Sequence, residues 1–582
     1  MSRPSTIPSL PRLRDHSVDR RMLMLAFAAL VVGTGGAFGA WLLLKLIAFS
    51  TNLFWFGSLS FKDTEITDSH VGLFVLLIPV IGSLIIGLMA RFGSDKIRGH
   101  GIPEAIEAIL YGESRLSVKV AILKPISSAI SIGSGGPFGA EGPIIMTGGA
   151  IGSLFAQQFK MSAAERKTLL VAGATAGMTA IFGTPMAAIL LALEVLLFEW
   201  KPRSFVPIVV AALMAWAWRP TLIGSGPMFD FNGVFTNGPE LLILAAIVGV
   251  VTGAQSALLS KCLFKIEDIF HKLPIHWMWW PALGGVVVGV GGLIDPHVLG
   301  AGYSNIQQVL DGSIGVKAIV LLLFIKAIVW LVSLGSGTSG GILAPLLILG
   351  GALGALIGHF LPAGSGFWAM IGMAGILSGA MRAPLTSAIF AVELTGQFTA
   401  LPETIAASAA AYAVSVLLLR RSILTEKIAR RGRHILQEYS VDPFSFMQAS
   451  QVMTSEPETL SGDMSVADTI VFFEEKAQHR SYPVVDKEGR LAGLVSRSDV
   501  LQWQVSGAPL DASLAETLSD ASQPTAFVTT PIGEIADLMV QSGIARIPIL
   551  DLQSSKVVGL VSRQDLLKAR IAHTDIEVTR TR

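Results

Sequence analysis

Six stretches of the chain, residues 22–49, 71–90, 241–259, 277–293, 318–334 and 405–419, are apolar over lengths that cross or nearly cross a hydrocarbon layer of about 30 Å. Backbone in lipid must satisfy its hydrogen bonds internally, so these runs are read as helices. With 52% hydrophobic and only 15% charged residues over 582 positions, the remainder cannot dilute them into an ordinary soluble protein. The chain is a polytopic membrane protein of all-α type, and its 60 glycines fit helices packed closely in lipid.

The first run is longer than a signal-peptide core and lacks a small-residue cleavage site, so it is expected to remain as a membrane helix. Arg3, Arg12, Arg14, Arg20 and Arg21 precede it, and Arg420, Arg421, Lys427, Arg430, Arg431 and Arg433 follow the last run. Positive-inside bias then places both ends in the cytoplasm. A lone Cys262 excludes an intramolecular disulfide and a cysteine-based metal cluster, and leaves the redox compartment open. The net charge of +1 says nothing about partners, and nucleic acid is not expected among them.

Residues 133–143, Gly-Ser-Gly-Gly-Pro-Phe-Gly-Ala-Glu-Gly-Pro, interrupt this apolar sequence and carry one carboxylate, Glu141. Unpaired backbone at membrane depth survives only where it is packed in protein or lines a polar cavity, and an ionisable side chain there points to function. The break feeds a helix start, whose free N–H groups and positive dipole end suit an anion. The expectation is an anion site with Glu141 as its titratable competitor; the bland alternative is a carboxylate capping its helix.

The membrane part is duplicated at an offset of about 200 residues. Residues 99–110 answer to 300–310, Gly133-Ser-Gly-Gly leading to Pro143 answers to Gly335-Ser-Gly-Thr leading to Pro345, and Gly183-Thr-Pro185 with Glu194 answers to Arg382-Ala-Pro384 with Glu393. Repeat-built transporters place their site where interrupted helices of both halves meet. The site is therefore expected between residues 99–103, 133–143 and 341–345, and inverted halves are expected because inversion brings helix N-termini together.

Gly99-His-Gly-Ile-Pro103, Gly139-Ala-Glu-Gly-Pro143 and Gly341-Ile-Leu-Ala-Pro345, in this order, resemble the three anion-coordinating signatures of the CLC family of chloride channels and proton-coupled antiporters. The resemblance covers residues 22–432. It implies a homodimer with a pore in each subunit and anions held by backbone N–H groups, here His100, Gly101, Ile102, Gly139, Gly142, Ile342 and Leu343. Glu141 resembles the family's gating glutamate, preceded by Ala140 where the family usually has arginine.

His100 stands where many members have serine; it is read either as a donor to the anion or as a histidine paired with a backbone carbonyl. The position of the family's tyrosine falls on Leu424, so its phenolic donor is missing. Lys124 matches a family lysine and is expected to raise the anion potential from a vestibule, the alternative being an interfacial lysine. In proton-coupled members a second glutamate follows the position of Glu194; here it is Val195. Glu199, read as lying four residues on along a helix over residues 185–200, is the candidate replacement in the proton path, or else an interfacial charge. Passive conduction and antiport by a rerouted path both stay open.

From about Ser440 the composition becomes that of a soluble α/β protein, itself duplicated: residues 482–499 mirror 547–565, each reading strand, turn, strand and then a helix opening at Ser496 or Ser562. These units resemble tandem cystathionine-β-synthase (CBS) domains. The resemblance allows an adenine nucleotide near Ser496, Asp499, Ser562 and Asp565, although serine and aspartate there are also ordinary helix caps; no cofactor is required. The expected organisation is a basic tail (1–21), a membrane domain (22–432, halves 22–222 and 238–432), a linker (433–447), CBS 1 (448–507), CBS 2 (508–571) and a tail (572–582). The expected location is a bacterial inner membrane. A CBS-linked divalent-cation transporter would need clustered acidic ligands, and an intramembrane zinc enzyme would need a motif such as His-Glu-x-x-His, which is missing. No enzyme activity is expected.

Overall fold

The computed structural model describes residues 21–578 except 198, 232, 234, 236–237, 434–443, 445–446 and 519–522, with side chains to 570. Most of the expected linker and the arginines before Arg21 lie outside the described residues. The chain forms two compact units, one within His16–Gln437 and one within Glu438–Arg582.

The first unit is helical. Among the described residues seven helical segments are long and apolar enough to cross a membrane. Six correspond to the expected runs. The seventh, Pro202–Leu222, is interrupted in sequence by Pro207, Arg219 and Pro220. Its arginine is tolerated because the guanidinium folds back onto the carbonyls of Gly224 (2.6 Å) and Gly226 (2.8 Å).

Between these spans lie the helices that position the site: α1 (Ile102–Tyr111), α2 (Glu141–Gln158), α3 (Ala163–Phe182), α4 (Pro185–Leu191), α5 (Tyr303–Leu310), α6 (Leu343–Gly358), α7 (Ser365–Met381) and α8 (Pro384–Thr395). Glycine sets their spacing. A Cβ on Gly148 of α2 would strike the carbonyl of Gly173 of α3, and the reverse holds; Gly350 of α6 and Gly372 of α7 repeat the relation in the second half.

The halves are inverted. Gly139 and Gly341, equivalent in the repeat, face each other in an antiparallel bridge, with the Gly341 amide donating to the Gly139 carbonyl at 2.9 Å. Helices α2 and α6 begin two residues beyond it on either strand. Glu393 of α8 accepts from the amides opening α4, and Glu194, in the π-helical turn Ala192–Leu197 that continues α4, accepts from those opening α8. Such a reciprocal exchange between antiparallel helices requires a local two-fold axis across them.

The second unit has two sheets. One pairs β1 (Thr454–Ser455), β7 (Val557–Ser562), β6 (Arg546–Leu550) and β5 (Ala526–Phe527) in that order; the other pairs β2 (Leu460–Ser461), β3 (Ser481–Val485) and β4 (Leu491–Ser496). The repeats are less separate than the expected boundary at 507/508. Thr454 and Ser455 join the second repeat's sheet behind Ala449 and Met453, which pack into that repeat's core, while Leu514 and Leu518 complete the first repeat's core around Tyr482, Val484 and Val495. Units of about 60 residues bury too little apolar surface alone, and this exchange enlarges both cores.

Candidate anion site

The three breaks meet. The Gly99 amide donates to the Thr338 carbonyl at 2.7 Å, the Gly340 amide reaches the Gly99 carbonyl at 3.4 Å, and a Cβ on Gly142 would collide with the His100 carbonyl. Gly101, at φ +87°, turns the chain into α1 in a conformation that suits glycine. The N-cap residues of α1, α2 and α6 offer no side chain to their first-turn amides; the acid among them is Glu141, whose carboxylate meets the backbone of Glu141 and Ala344 at the starts of α2 and α6. The structure thus brings together His100, Gly101, Ile102, Gly139, Glu141, Gly142, Ile342 and Leu343.

Glu141 sits at the centre, fully buried. A Cβ on either Gly139 or Gly341 would run into its carboxylate, so the two glycines form the walls of its seat. Its Oε2 has no hydrogen-bond partner, and its Oε1 lies 3.5 Å from the Tyr303 hydroxyl. Leu343, its equivalent in the second half, is apolar, so only one half carries the acid.

Two cavities approach this point and share no lining residue. One, of about 500 Å³, is lined by Ala140, Tyr303 and Arg219 among others. The second, of about 350 Å³, is lined by Gly99, His100, Arg98, Lys427, Arg430 and Arg431, with Asp95 and Glu267; Lys427 and Arg431 pair with Glu104 and Arg430 with Asp268. Glu141 lies between Ala140, on the first cavity, and Gly142, packed on His100 of the second. His100 is nearly buried and its Nδ1 has no partner.

Lys124 is buried rather than turned to a vestibule or an interface. Its ammonium donates to the carbonyls of Ile97 (2.8 Å) and Gly99 (2.7 Å) and to Ser339 Oγ (3.1 Å), which holds the loop before α1. Lys326 does the same in the second half, reaching the carbonyls of Val298 and Gly300. The repeat offset pairs these two lysines, a signal that sequence reasoning left unused. Tyr303, likewise missed, occupies the repeat position of Ile102. Leu424 is buried beside Ile423, which lines the His100 cavity.

Glu199 departs from expectation. Helical structure is described only to Leu197, so Glu199 does not continue the face of Val195. Lys201, preceding Pro202, is extended, as the proline requires, and turns the chain away. Burial would raise the Glu199 carboxyl, but Lys167, Lys201 (3.2 Å) and the Ser204 hydroxyl (3.0 Å) outweigh it and hold it below the usual carboxylate range.

In the second unit Ser496 and Asp499 satisfy each other in a capping box, and Ser562 with Asp565 repeats the contact. Ser496 and Asp499 also line a cavity of about 700 Å³ with Arg480, Arg497 and Arg546; Ser562 and Asp565 do not.

Residues 81–416 match the family model described as voltage gated chloride channel, and residues 449–506 and 520–572 match the CBS domain. A relative named voltage-gated ClC-type chloride channel ClcB, from Shigella flexneri, is 30% identical over 373 residues, covering 61% of this chain and 87% of its own. The crystal structure of a slow cyanobacterial Cl⁻/H⁺ antiporter superposes with a TM-score of 0.63 at 22% identity, covering 71% of this chain and 99% of its own. That of a eukaryotic CLC transporter gives 0.59 at 21% identity, covering 94% and 98%.

Proposed function

Because the chain belongs to the CLC family of chloride-transporting membrane proteins and carries two C-terminal CBS domains, we propose that it passes chloride, or a similar anion, through a path gated by Glu141 in each subunit of a homodimer. The observation that carries this reading is the convergence of three helix starts on Glu141 between two cavities. Aligned amides supply partial positive charge in a water-poor setting, where it counts for more than in bulk water. A dehydrated anion and an ionised carboxylate want the same seat. The cavity next to His100 brings Arg98, Lys427, Arg430 and Arg431 to the mouth of the path, and His100 itself stands at its inner wall.

Passive conduction is favoured over antiport. Val195 is buried where proton-coupled relatives are expected to carry their second acid, and Glu199 lies off the helix, engaged by Lys201 and Ser204. The reversal potential of reconstituted protein under a pH gradient tests this. A chloride Nernst value that ignores pH is expected; a value that moves with pH means coupled protons.

For the CBS pair we favour a structural role, since the Ser and Asp of both motifs are taken up in caps. An adenine nucleotide would occupy the cleft lined by Arg480, Arg497 and Arg546. The expected setting is a bacterial inner membrane with both termini in the cytoplasm.

A further inference from the structure

Tyr303 opens α5 from a loop that belongs to none of the three breaks, yet its hydroxyl is beside the gate. It accepts from the Ala140 amide at 3.3 Å and faces Glu141 Oε1 at 3.5 Å. Having accepted one N–H, the hydroxyl has its own hydrogen free for a second partner. The neighbouring carboxylate is the acceptor within reach. Position 140 contributes no side-chain donor, and its amide is already spent on Tyr303.

The phenol is held in place from behind. Gly302, at φ +72°, turns the chain into α5; Lys326 pins the carbonyls of Val298 and Gly300 just before it; the Gly300 amide donates to Gly135, inside the Glu141 break, at 3.0 Å; and the ring packs against Phe229. The second half has thus kept the lysine-pinned loop of the first and delivers a hydroxyl toward Glu141 from it.

We propose that Tyr303 is a positioning residue for the gate: from the 500 Å³ cavity its hydroxyl holds the Glu141 carboxylate in the anion seat and so sets how readily the carboxylate leaves. This rests on the reading of Glu141 as the gate. With Leu424 supplying no phenol, the hydroxyl acts from the opposite cavity, and on the acid.

The test is chloride efflux from liposomes, measured against pH, for the full chain, Tyr303→Phe, Glu141→Ala and the double variant. Tyr303→Phe keeps the ring on Phe229 and removes the hydroxyl, which is both the donor toward Glu141 and the acceptor of the Ala140 amide. A single hydrogen bond of ordinary strength predicts about two- to tenfold faster efflux at neutral pH and a flatter pH profile. In the Glu141→Ala background the same change should alter efflux less than about twofold. Tyr303→His, which retains a ring and an N–H donor, should return part of the parent pH profile; Tyr303→Leu, which also lacks the donor, takes the place of Tyr303→Phe should that variant not reconstitute. The proposal is overturned by identical efflux in the parent and the Tyr303 variants at every pH, or by an equal effect with and without Glu141. Either result leaves the gate reading standing provided that Glu141→Ala has lost its pH dependence. A pH dependence that survives in Glu141→Ala overturns the gate reading itself.

Discussion

Glu194 and Glu393 cap each other's helices. The Glu393 carboxylate accepts from the amides of Met186 (3.0 Å) and Ala187 (2.8 Å), and the Glu194 carboxylate from those of Leu385 (3.3 Å) and Thr386 (2.8 Å) together with the Thr386 hydroxyl. Each acid lies nine residues after the proline opening its own helix, so one sequence pattern is used twice to lock two antiparallel helices through a single two-fold contact. A carboxylate at a helix N-terminus is favoured by hydrogen bonding and by the dipole together.

Removing either acid should therefore loosen the junction of the halves. Glu393→Ala leaves one buried and one partly buried amide unpaired and should cost about 1–3 kcal/mol, seen as a lower melting temperature in detergent. Glu393→Gln keeps an acceptor and should cost less. Equal melting of Glu393→Ala and the parent would show that the contact is incidental.

The glycine crossings make a second prediction. Gly148→Ala and Gly372→Ala each press a methyl into a facing backbone carbonyl, and overpacking of this kind costs about 1–3 kcal/mol or more. Gly315, with open space around its Cβ position, is the control, and Gly315→Ala should melt nearer the parent than either crossing variant, losing only the preference of a helix N-cap for glycine over alanine. Because Gly148 lies on α2, its variant should also disturb chloride flux by displacing Glu141.

The buried lysines act as pins. Lys124→Met and Lys326→Met each strand two backbone carbonyls that the ammonium now satisfies, and each should lower stability by about 1–3 kcal/mol per stranded group. Comparable losses at the two sites, measured by thermal unfolding in detergent, are expected from their matching geometry. A neutral Lys326→Met would break the equivalence.

How far the sequence carried depends on how local each signal was. The breaks at 99–103, 133–143 and 341–345 and the offset between halves are written in glycine and proline spacing, and the convergence of those breaks follows from the repeat. Tyr303 was not legible because its approach to Glu141 needs a segment about 160 residues away to fold back through Lys326 and Gly135. Lys124 was misplaced for a related reason: its acceptors are backbone carbonyls, which no side-chain pattern advertises. Glu199 was placed on a helix by counting residues, and the turn before Pro202 ended that helix first. The span Pro202–Leu222 was obscured by Arg219, whose compensating carbonyls lie beyond the run itself.

In the CBS pair the cap reading gives its own check. Asp499→Ala and Asp565→Ala each remove the partner of a capping serine and should destabilise the local helix start by about 0.5–2 kcal/mol. Hydrogen exchange in the full-length protein should rise in the turns after Ser496 and Ser562. Unchanged exchange at both would free these aspartates for another role.

The central claim is that Glu141 and the anion compete for one seat, and the most direct measurement is chloride efflux from liposomes carrying Glu141→Gln, followed across pH. A side chain that cannot ionise cannot compete as a charge, so efflux should persist and lose its pH dependence. Efflux that keeps the pH dependence of the parent protein would contradict the account.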